Sequence, residues 1–197
     1  MRAVWLAALL ALLAACGPAE TPPPAPKFLA TDITGASWGR DFRLTDHNGQ
    51  VRTLADFRGK VVALFFGYTH CPDVCPTTLS DFAMAIRELG EDGNRVQVLF
   101  VTVDPERDTP ALLAEYVPSF NPGFLGLYAD PASLAELAKE FKVVYQKNSV
   151  AGAADYLIDH SAGTYVFDGH GKIRLHIAYG TSPAAIAKDL RTLLAQG

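Results

Sequence analysis

Two apolar runs, unbroken at residues 61–66 and nearly so at residues 96–103, constrain the fold of this chain more than any other feature of its sequence. Val, Leu and Phe dominate both runs, and strands that are buried on both faces of a sheet have this composition. Between the runs, apolar residues recur at the spacing of an amphipathic helix that ends before Gly90: Leu79, Phe82, Ala83, Ile86 and Leu89. The stretch therefore predicts a strand-helix-strand unit whose two strands are central and parallel.

Further hairpins and helices are predicted on both sides of this unit. Asn48-Gly49 and the turn at residues 168–171 each separate two short strand-like segments, which predicts two β-hairpins. Three more helices should begin where a capping residue precedes a proline, at Pro110, Pro131 and Pro183. This order of elements predicts an α/β protein with a thioredoxin-like fold, in which a mixed central sheet carries helices on both faces.

The N-terminus has the pattern of a cleaved export signal. Arg2 is followed by an apolar run at residues 3–15, which is too short to span a bilayer but suits the core of a signal peptide. The run ends in Leu-Ala-Ala-Cys-Gly, which resembles a bacterial lipoprotein box whose cysteine, here Cys16, is acylated and becomes the mature N-terminus. We predict a signal peptide at residues 1–15 and lipidation of Cys16. An ordinary secretory signal, cut at the small residues, is the alternative.

A proline-rich segment follows the predicted cleavage site. Five prolines lie between Gly17 and Pro26, a composition that favours extended polyproline II and builds no core. We therefore predict three parts: the signal peptide at residues 1–15, a lipidated linker at residues 16–30 and a thioredoxin-like domain at residues 31–197.

The charge balance limits the partners of the protein. The formal net charge is −4, with 17 Lys and Arg against 21 Asp and Glu, so the chain lacks the electrostatic footprint of a nucleic-acid-binding protein. It also lacks a basic patch for anionic lipid headgroups, so the lipid on Cys16 should provide the membrane contact. We expect a monomeric domain in the bacterial cell envelope, anchored to the membrane and facing the periplasm or the exterior.

Two cysteines stand at the bend between the first central strand and its helix. Cys71 and Cys75 are separated by three residues, and Pro76 is predicted as the first helical residue, so both thiols should lie on the preceding loop. The positive end of a helix dipole favours thiolate over thiol. Such a pair can bind one soft metal ion or act as a redox-active pair. A plain structural disulfide is the remaining alternative, although closing so short a loop stabilises a fold only weakly.

Three segments of the chain resemble blocks of one protein family. Residues 65–76, with the sequence FFGYTHCPDVCP, resemble the signature of the Sco/SenC family of copper-binding assembly proteins for cytochrome c oxidase. Residues 103–110 and 159–161 resemble two further blocks of that family, so the resemblance extends from Phe42 to the C-terminus. It implies that Cys71, Cys75 and His160 bind copper. It also implies a metallochaperone that delivers copper to the dinuclear centre carried by one subunit of the oxidase, with another periplasmic copper chaperone as a further partner.

The chemistry of the implied ligands suits copper. Cu(I) prefers thiolates and low coordination numbers, imidazole is a good further ligand, and the same donors also suit Cu(II). A structural zinc site usually has four protein ligands, and no further cysteine follows Cys75. His160 is predicted on a loop that enters the sheet, with Asp159 orienting its ring or tuning its charge.

The other polar candidates receive lesser roles. His70 could assist Cys71, whereas His47, His170 and His176 are expected at the surface. Asp104 and Arg107 are candidates for docking a partner or supporting the ligands. Asp108 is interpreted only as part of a helix start.

Two other functions fit the same cysteines. A thiol-disulfide oxidoreductase would use Cys71 and Cys75 to reduce the cysteines of the oxidase centre before copper is loaded. A peroxiredoxin-type peroxidase is disfavoured, because Pro72 stands where that family has a threonine before its reactive cysteine.

Overall fold

The computed structural model describes residues 27–149 and 156–196. The predicted signal peptide, Cys16 and the proline-rich part of the predicted linker lie outside these residues, so their assignments stay predictions. In the described part of the chain, none of the helices combines the length and the apolar character needed to cross a membrane.

Ten strands and four α-helices form the described part of the chain. The strands are β1 (Thr31–Asp32), β2 (Arg43–Asp46), β3 (Val51–Thr53), β4 (Val61–Gly67), β5 (Val96–Thr102), β6 (Leu125–Tyr128), β7 (Tyr145–Ser149), β8 (Tyr156–His160), β9 (Thr164–Phe167) and β10 (Ile173–Ile177). The helices are α1 (Val74–Leu89), α2 (Pro110–Phe120), α3 (Pro131–Glu140) and α4 (Pro183–Leu194). Both predicted hairpins and the predicted helix starts at the three prolines are confirmed.

Eight strands form one mixed sheet in the order β1-β10-β9-β4-β5-β6-β2-β3. β4, β5 and β6 run parallel, and the remaining neighbours in this sheet are antiparallel. β4 and β5 pair along their whole length, from Val61 opposite Val96 to Gly67 opposite Thr102, and every residue in both strands is buried. The predicted central strand-helix-strand unit is therefore confirmed.

Helices cover both faces of this sheet. Phe65 and Phe66 are neighbours in β4, so their side chains point to opposite faces. On one face Phe65 contacts Phe100, which in turn meets Tyr116 of α2. On the other face Phe66 packs at a ring-centroid distance of 5.6 Å from Phe141, the residue that follows α3. The arrangement confirms the thioredoxin-like fold, with a mixed sheet between helices.

The start of the domain is held by a buried carboxylate in α4. Asp189 is 1% exposed and accepts hydrogen bonds from the backbone N–H groups of Leu29 (2.8 Å) and Ala30 (2.7 Å). Phe28 also packs against the core. Ordered contacts thus begin a few residues before residue 31, within the end of the predicted linker.

β7 and β8 form a separate two-stranded ribbon beside the main sheet. The ribbon pairs Tyr145 with His160 at one end and Ser149 with Tyr156 at the other. His160 is therefore the last residue of a strand, and its predicted place on a loop is wrong. The polar sequence of β7, YQKNS, lacks the apolar alternation that would have predicted a strand.

Candidate metal centre

The chain between β4 and α1 carries both cysteines. Cys71 lies on the connecting loop, whereas Cys75 is the second residue of α1 and is fully buried. The prediction that both cysteines precede the helix is thus wrong for Cys75. Pro76 is the third helical residue, and a proline is tolerated there because N–H groups in the first helical turn have no partner within the helix.

Three candidate ligand atoms converge at this junction. The Sγ of Cys75 lies 3.4 Å from Nε2 of His160, and the backbone N–H of Cys75 points to Sγ of Cys71 at 3.4 Å. All three ligand atoms lie within 4.8 Å of one another, and both cysteines are free thiols. The cluster borders an open cleft of about 410 Å³ that Pro72 and Leu157 help to line. The three residues singled out in the sequence are therefore brought together at one accessible place.

The two thiols have opposite electrostatic environments. The hydrogen bond from the Cys75 thiol lowers the pKa of Cys71, with further help from backbone N–H groups, and these effects exceed the opposing effect of burial. The pKa of Cys75 is raised, first by this interaction with Cys71 and then by burial. The pair therefore consists of a partly exposed thiolate and a buried thiol.

His160 is oriented by a backbone carbonyl. Its Nδ1 lies 3.1 Å from the carbonyl oxygen of Ser161, which can only accept, so Nδ1 carries the proton of this hydrogen bond. In the neutral ring this leaves the lone pair on Nε2, the atom that faces Cys75. The edges of Phe65 and Tyr68 pack against the ring, with centroid distances of 6.0 and 5.8 Å. The imidazole is thus held with Nε2 directed toward Cys75, the direction that metal binding requires.

Asp159 does not orient the His160 ring, whereas its predicted effect on the charge of the site stays a prediction. Its carboxylate accepts a hydrogen bond from the side-chain amide of Asn148 on the neighbouring strand, at 2.5 Å. Side chains alternate between the two faces of a strand, so Asp159 and His160 point in opposite directions. The carbonyl of Ser161 takes the orienting role instead.

Asp108 connects the cysteine loop to β5, a role that the sequence interpretation missed. Its buried carboxylate accepts hydrogen bonds from the N–H (3.0 Å) and the hydroxyl (2.6 Å) of Thr69, and from the hydroxyl of Thr102 (2.6 Å). Thr109 alone caps α2, by accepting from the N–H of Leu112. The interpretation of Asp108 as only part of a helix start is therefore wrong. Because Thr109 is sufficient to cap α2, the presence of Asp108 beside it was the sequence signal that Asp108 has another role.

The second family-like block also contacts the ribbon. Asp104 is fully buried and accepts a hydrogen bond from the hydroxyl of Tyr156 on β8, at 2.7 Å. The Nε of Arg107 also donates to Asp104, and its Nη1 donates to the carbonyl oxygen of Tyr156 at 2.9 Å. These two residues thus touch the strand that carries His160.

The remaining histidines stay outside the cluster. His70 is exposed and bonds Thr69, and His47 accepts a hydrogen bond from the backbone N–H of Gly126. His176 packs against the ring of Tyr165. Across residues 27–149 and 156–196, Cys71, Cys75 and His160 are the one group of three potential ligands that lie close enough to share an ion.

The protein thus belongs to the class of thioredoxin-like proteins that carry a candidate soft-metal centre. Two thiols and an imidazole beside a central strand form this centre. The family model described as SCO1/SenC matches residues 30–195. The chain belongs to this family, which confirms the resemblance seen in the sequence.

Similar proteins agree with this membership. The bovine protein described as "Protein SCO2 homolog, mitochondrial" is 40% identical over 157 residues, which are 79% of this chain and 59% of that protein. The chain thus matches less than two thirds of the length of that relative. The structure of Bradyrhizobium japonicum ScoI with copper bound is 40% identical, with a TM-score of 0.72 and coverage of 80% of this chain and 99% of that one. Apo Sco1 from Thermus thermophilus is 40% identical, with a TM-score of 0.74 and coverage of 85% and 97%.

Proposed function

We propose that this protein is a copper metallochaperone that binds copper through Cys71, Cys75 and His160. The observation that carries the proposal is the convergence of two sulfur atoms and one imidazole nitrogen within 4.8 Å at an open cleft. Copper is the cargo of the protein, and the dinuclear copper centre of cytochrome c oxidase is the proposed destination. Membership of a family that includes a copper-bound relative supports copper as the metal.

The donor atoms fit a copper ion. Atoms that bind one first-row metal at about 2.0–2.3 Å are separated by at most about 4.6 Å, so the three atoms need to move only slightly to share an ion. Thiolates select soft Cu(I), and the added imidazole suits Cu(II) as well. Within the described residues no fourth ligand completes a closed tetrahedral zinc site, which favours copper over zinc.

The geometry also suits transfer of the ion to a partner. Cys75 is buried, whereas Cys71 and His160 are partly exposed toward the cleft. A partner ligand can approach from the cleft side, where Cys71 can be replaced first. We propose that the receiving subunit of the oxidase approaches on this side.

A second candidate function uses the same cysteines without metal. The lowered pKa of Cys71 makes it the attacking thiolate, and the buried Cys75 thiol lies beside it to resolve a mixed disulfide. Attack on a target disulfide forms an intermolecular disulfide and releases one target thiolate. Attack by Cys75 then releases the second target thiolate and leaves Cys71 and Cys75 oxidised, so two electrons pass to the target. The substrate would be the cysteine pair of the oxidase centre before copper is loaded.

Replacing His160 separates the two functions. His160→Ala removes the imidazole and keeps both thiols, so copper affinity should fall by more than the roughly 10- to 100-fold that a change beside a ligand causes. Disulfide formation and exchange by Cys71 and Cys75 should persist. Copper titration against a competing chelator and a thiol-disulfide exchange assay measure the two properties, with Asp159→Ala as the matched control on the same strand.

The outcomes distinguish the candidate functions. Copper affinity equal to that of the unaltered protein would remove His160 from the site. If cells with His160→Ala also assembled cytochrome oxidase normally, thiol exchange would carry the function and copper delivery would not.

We further propose that the protein works at the outer side of a bacterial membrane, attached through an acylated Cys16. Its partners are the copper-centre subunit of the oxidase and a periplasmic chaperone that supplies copper. The domain acts as a monomer.

A further inference from the structure

The ribbon that carries His160 is connected to the rest of the domain by a small set of contacts. Within the described residues, β7 and β8 pair with each other and share no strand pairing with the eight-stranded sheet. Cys71 and Cys75, by contrast, stand at the junction of β4 and α1, inside the main packing unit. The distance between the Cys75 sulfur and the imidazole therefore depends on whatever fixes the ribbon beside this junction.

Tyr68 and Arg107, both outside the ribbon, make such contacts with β8. The hydroxyl of Tyr68 accepts a hydrogen bond from the N–H of the buried Ile158 at 3.2 Å. The Nη1 of Arg107 donates to the carbonyl oxygen of Tyr156 at 2.9 Å, and its guanidinium carbon lies 3.7 Å from the centroid of the Tyr156 ring. Its Nε pairs with the buried carboxylate of Asp104, just beyond the end of β5. The guanidinium also lies 5.8 Å from the ring centroid of Tyr68, which packs against His160. One side chain thus bridges the main sheet and the first residue of β8.

The residues that bind Arg107 also contact each other. The hydroxyl of Tyr156 donates to Asp104 at 2.7 Å, so Asp104 receives bonds from both Arg107 and the ribbon. Lys147 of β7 forms a 2.6 Å ion pair with Glu106, and this pair is far more exposed to solvent than the pair of Arg107 with Asp104. Exposed pairs contribute little, whereas a buried carboxylate without its arginine is strongly disfavoured. Arg107 therefore contributes more to the attachment of the ribbon than the Lys147–Glu106 pair does.

We propose that Arg107 is a positioning residue for the copper site, which acts by fixing β8 so that His160 faces Cys75. This inference rests on the proposed copper binding by His160. Loss of Arg107 leaves both thiols in place but releases the ribbon. Cu(I) keeps its two thiolate ligands, whereas Cu(II) depends more on the nitrogen donor. The loss of Arg107 should therefore weaken Cu(II) binding more than Cu(I) binding.

The chemistry of the contact requires an arginine. The planar guanidinium presents several N–H donors in a fixed fork and stacks on an aromatic face, so it serves Asp104, the Tyr156 carbonyl and the Tyr156 ring at the same time. A lysine supplies one compact charge and cannot make the same set of contacts. Arg107→Lys should keep the charge pair with Asp104 and still lose part of the positioning.

The first measurement compares copper binding in two arginine variants. Arg107→Ala should weaken Cu(II) binding by about 10- to 100-fold, the range typical of residues that orient a ligand, with a smaller effect on Cu(I). Arg52→Ala is the matched control, because Arg52 also pairs with a fully buried aspartate, Asp46, on a hairpin at an edge of the main sheet. Arg52→Ala should change copper affinity less than twofold. Equal losses in both variants would overturn the proposal.

A second variant addresses folding. Arg107→Ala leaves the Asp104 carboxylate buried and unpaired, which can prevent folding. Arg107→Met combined with Asp104→Asn removes both charges while nearly keeping the side-chain volumes, and it should show the same loss of Cu(II) affinity. A folded double variant that binds Cu(II) like the unaltered protein would contradict the proposal.

A third measurement needs no copper. In the metal-free protein, nuclear Overhauser contacts between the His160 ring and the rings of Phe65 and Tyr68 report the position of the imidazole. These contacts should weaken or vanish in the Arg107 variants and remain in Arg52→Ala. Their persistence without Arg107 would overturn the proposal even if copper affinity fell.

A double-mutant cycle distinguishes this inference from the proposed function. If Arg107 acts through His160, adding Arg107→Ala to His160→Ala should cause no further loss of copper affinity, and an additive loss would contradict the inference. If His160→Ala alone leaves copper affinity unchanged, the proposed ligand set fails. The ring contacts in the metal-free protein then decide separately whether Arg107 positions His160.

Discussion

At the scale of single residues, the site is defined by the unequal environments of Cys71 and Cys75. The Cys75 sulfur is enclosed by the core, so the charged form of this thiol is disfavoured there. The Cys71 sulfur receives hydrogen bonds from the Cys75 thiol and from backbone N–H groups, which favour its charged form. The partly exposed cysteine is therefore the reactive one.

This difference predicts selective alkylation of Cys71. An ordinary thiol has a pKa of about 8.5, whereas the lowered pKa of Cys71 keeps it a thiolate well below that pH. Iodoacetamide at pH 6 should modify Cys71 and leave Cys75 unmodified, and the rate at Cys71 should change little between pH 6 and pH 8. Peptide mass spectrometry measures both positions.

A variant of Cys75 checks the cause. Cys75→Ala removes the hydrogen bond that contributes most to the lowered pKa of Cys71. Alkylation of Cys71 should then shift to higher pH. Modification of Cys75 before Cys71 in the unaltered protein would contradict the assignment of the thiolate.

The sequence predicted the three candidate ligands but not the residues that orient them. Cys71, Cys75 and His160 belong to short blocks that resemble those of the Sco/SenC family, and for His160 this resemblance was the deciding signal. The Ser161 carbonyl has no side-chain signal, because any residue can supply a backbone oxygen. Asp108 could be explained by the neighbouring proline, and its contacts with Thr69 and Thr102 depend on the packing of distant segments.

At the scale of elements, the end of β4 is packed closely against the start of α1. A Cβ atom on Gly67 would lie 2.8 Å from the Cys75 sulfur and 2.8 Å from a ring carbon of Phe100. Both neighbours are fully buried and have little room to move. Glycine at this position is what allows the helix to bring Cys75 next to the strand.

Gly67→Ala should therefore disturb both the fold and the site. Overpacking of a dense core costs about 1–3 kcal/mol, and displacement of the Cys75 sulfur should weaken copper binding as well. Gly169→Ala is the matched control, because its Cβ would have its nearest contact at 3.5 Å, and it should change stability by less than about 0.5 kcal/mol. Urea unfolding and copper titration test both variants, and equal stabilities would contradict the packing argument.

The elements differ in how well the sequence predicted them. β4, β5 and α1 have strong apolar patterns, and the helices that begin at Pro110, Pro131 and Pro183 carry capping residues. Residues nearby in the sequence were therefore sufficient to predict these elements. The ribbon of β7 and β8 has no such pattern, because it lies outside the main sheet and buries few of its side chains. Its Tyr156 bonds Arg107 and Asp104, which are about 50 residues away in the sequence, and such distant contacts leave no local signal.

At the scale of the whole molecule, the proposed attachment depends on Cys16. Cys16→Ser should abolish acylation, and the protein should move from the membrane fraction to the soluble periplasmic or extracellular fraction. In the described residues no helix offers a second means of crossing the membrane. Fractionation after an alkaline wash measures this change, with Cys71→Ser as a control that keeps the predicted acylation site. Continued membrane retention of Cys16→Ser would contradict the predicted anchor.

The two edges of the main sheet are closed by very short strands. β1 has two residues and covers β10, and β3 has three residues and covers β2. Long, flat edge strands recruit other chains, because their unpaired N–H and C=O groups template further pairing. If the protein is attached to a membrane as proposed, neighbouring molecules find little exposed edge through which their main sheets could join, which leaves the cleft beside Cys71 free for a partner of a different kind.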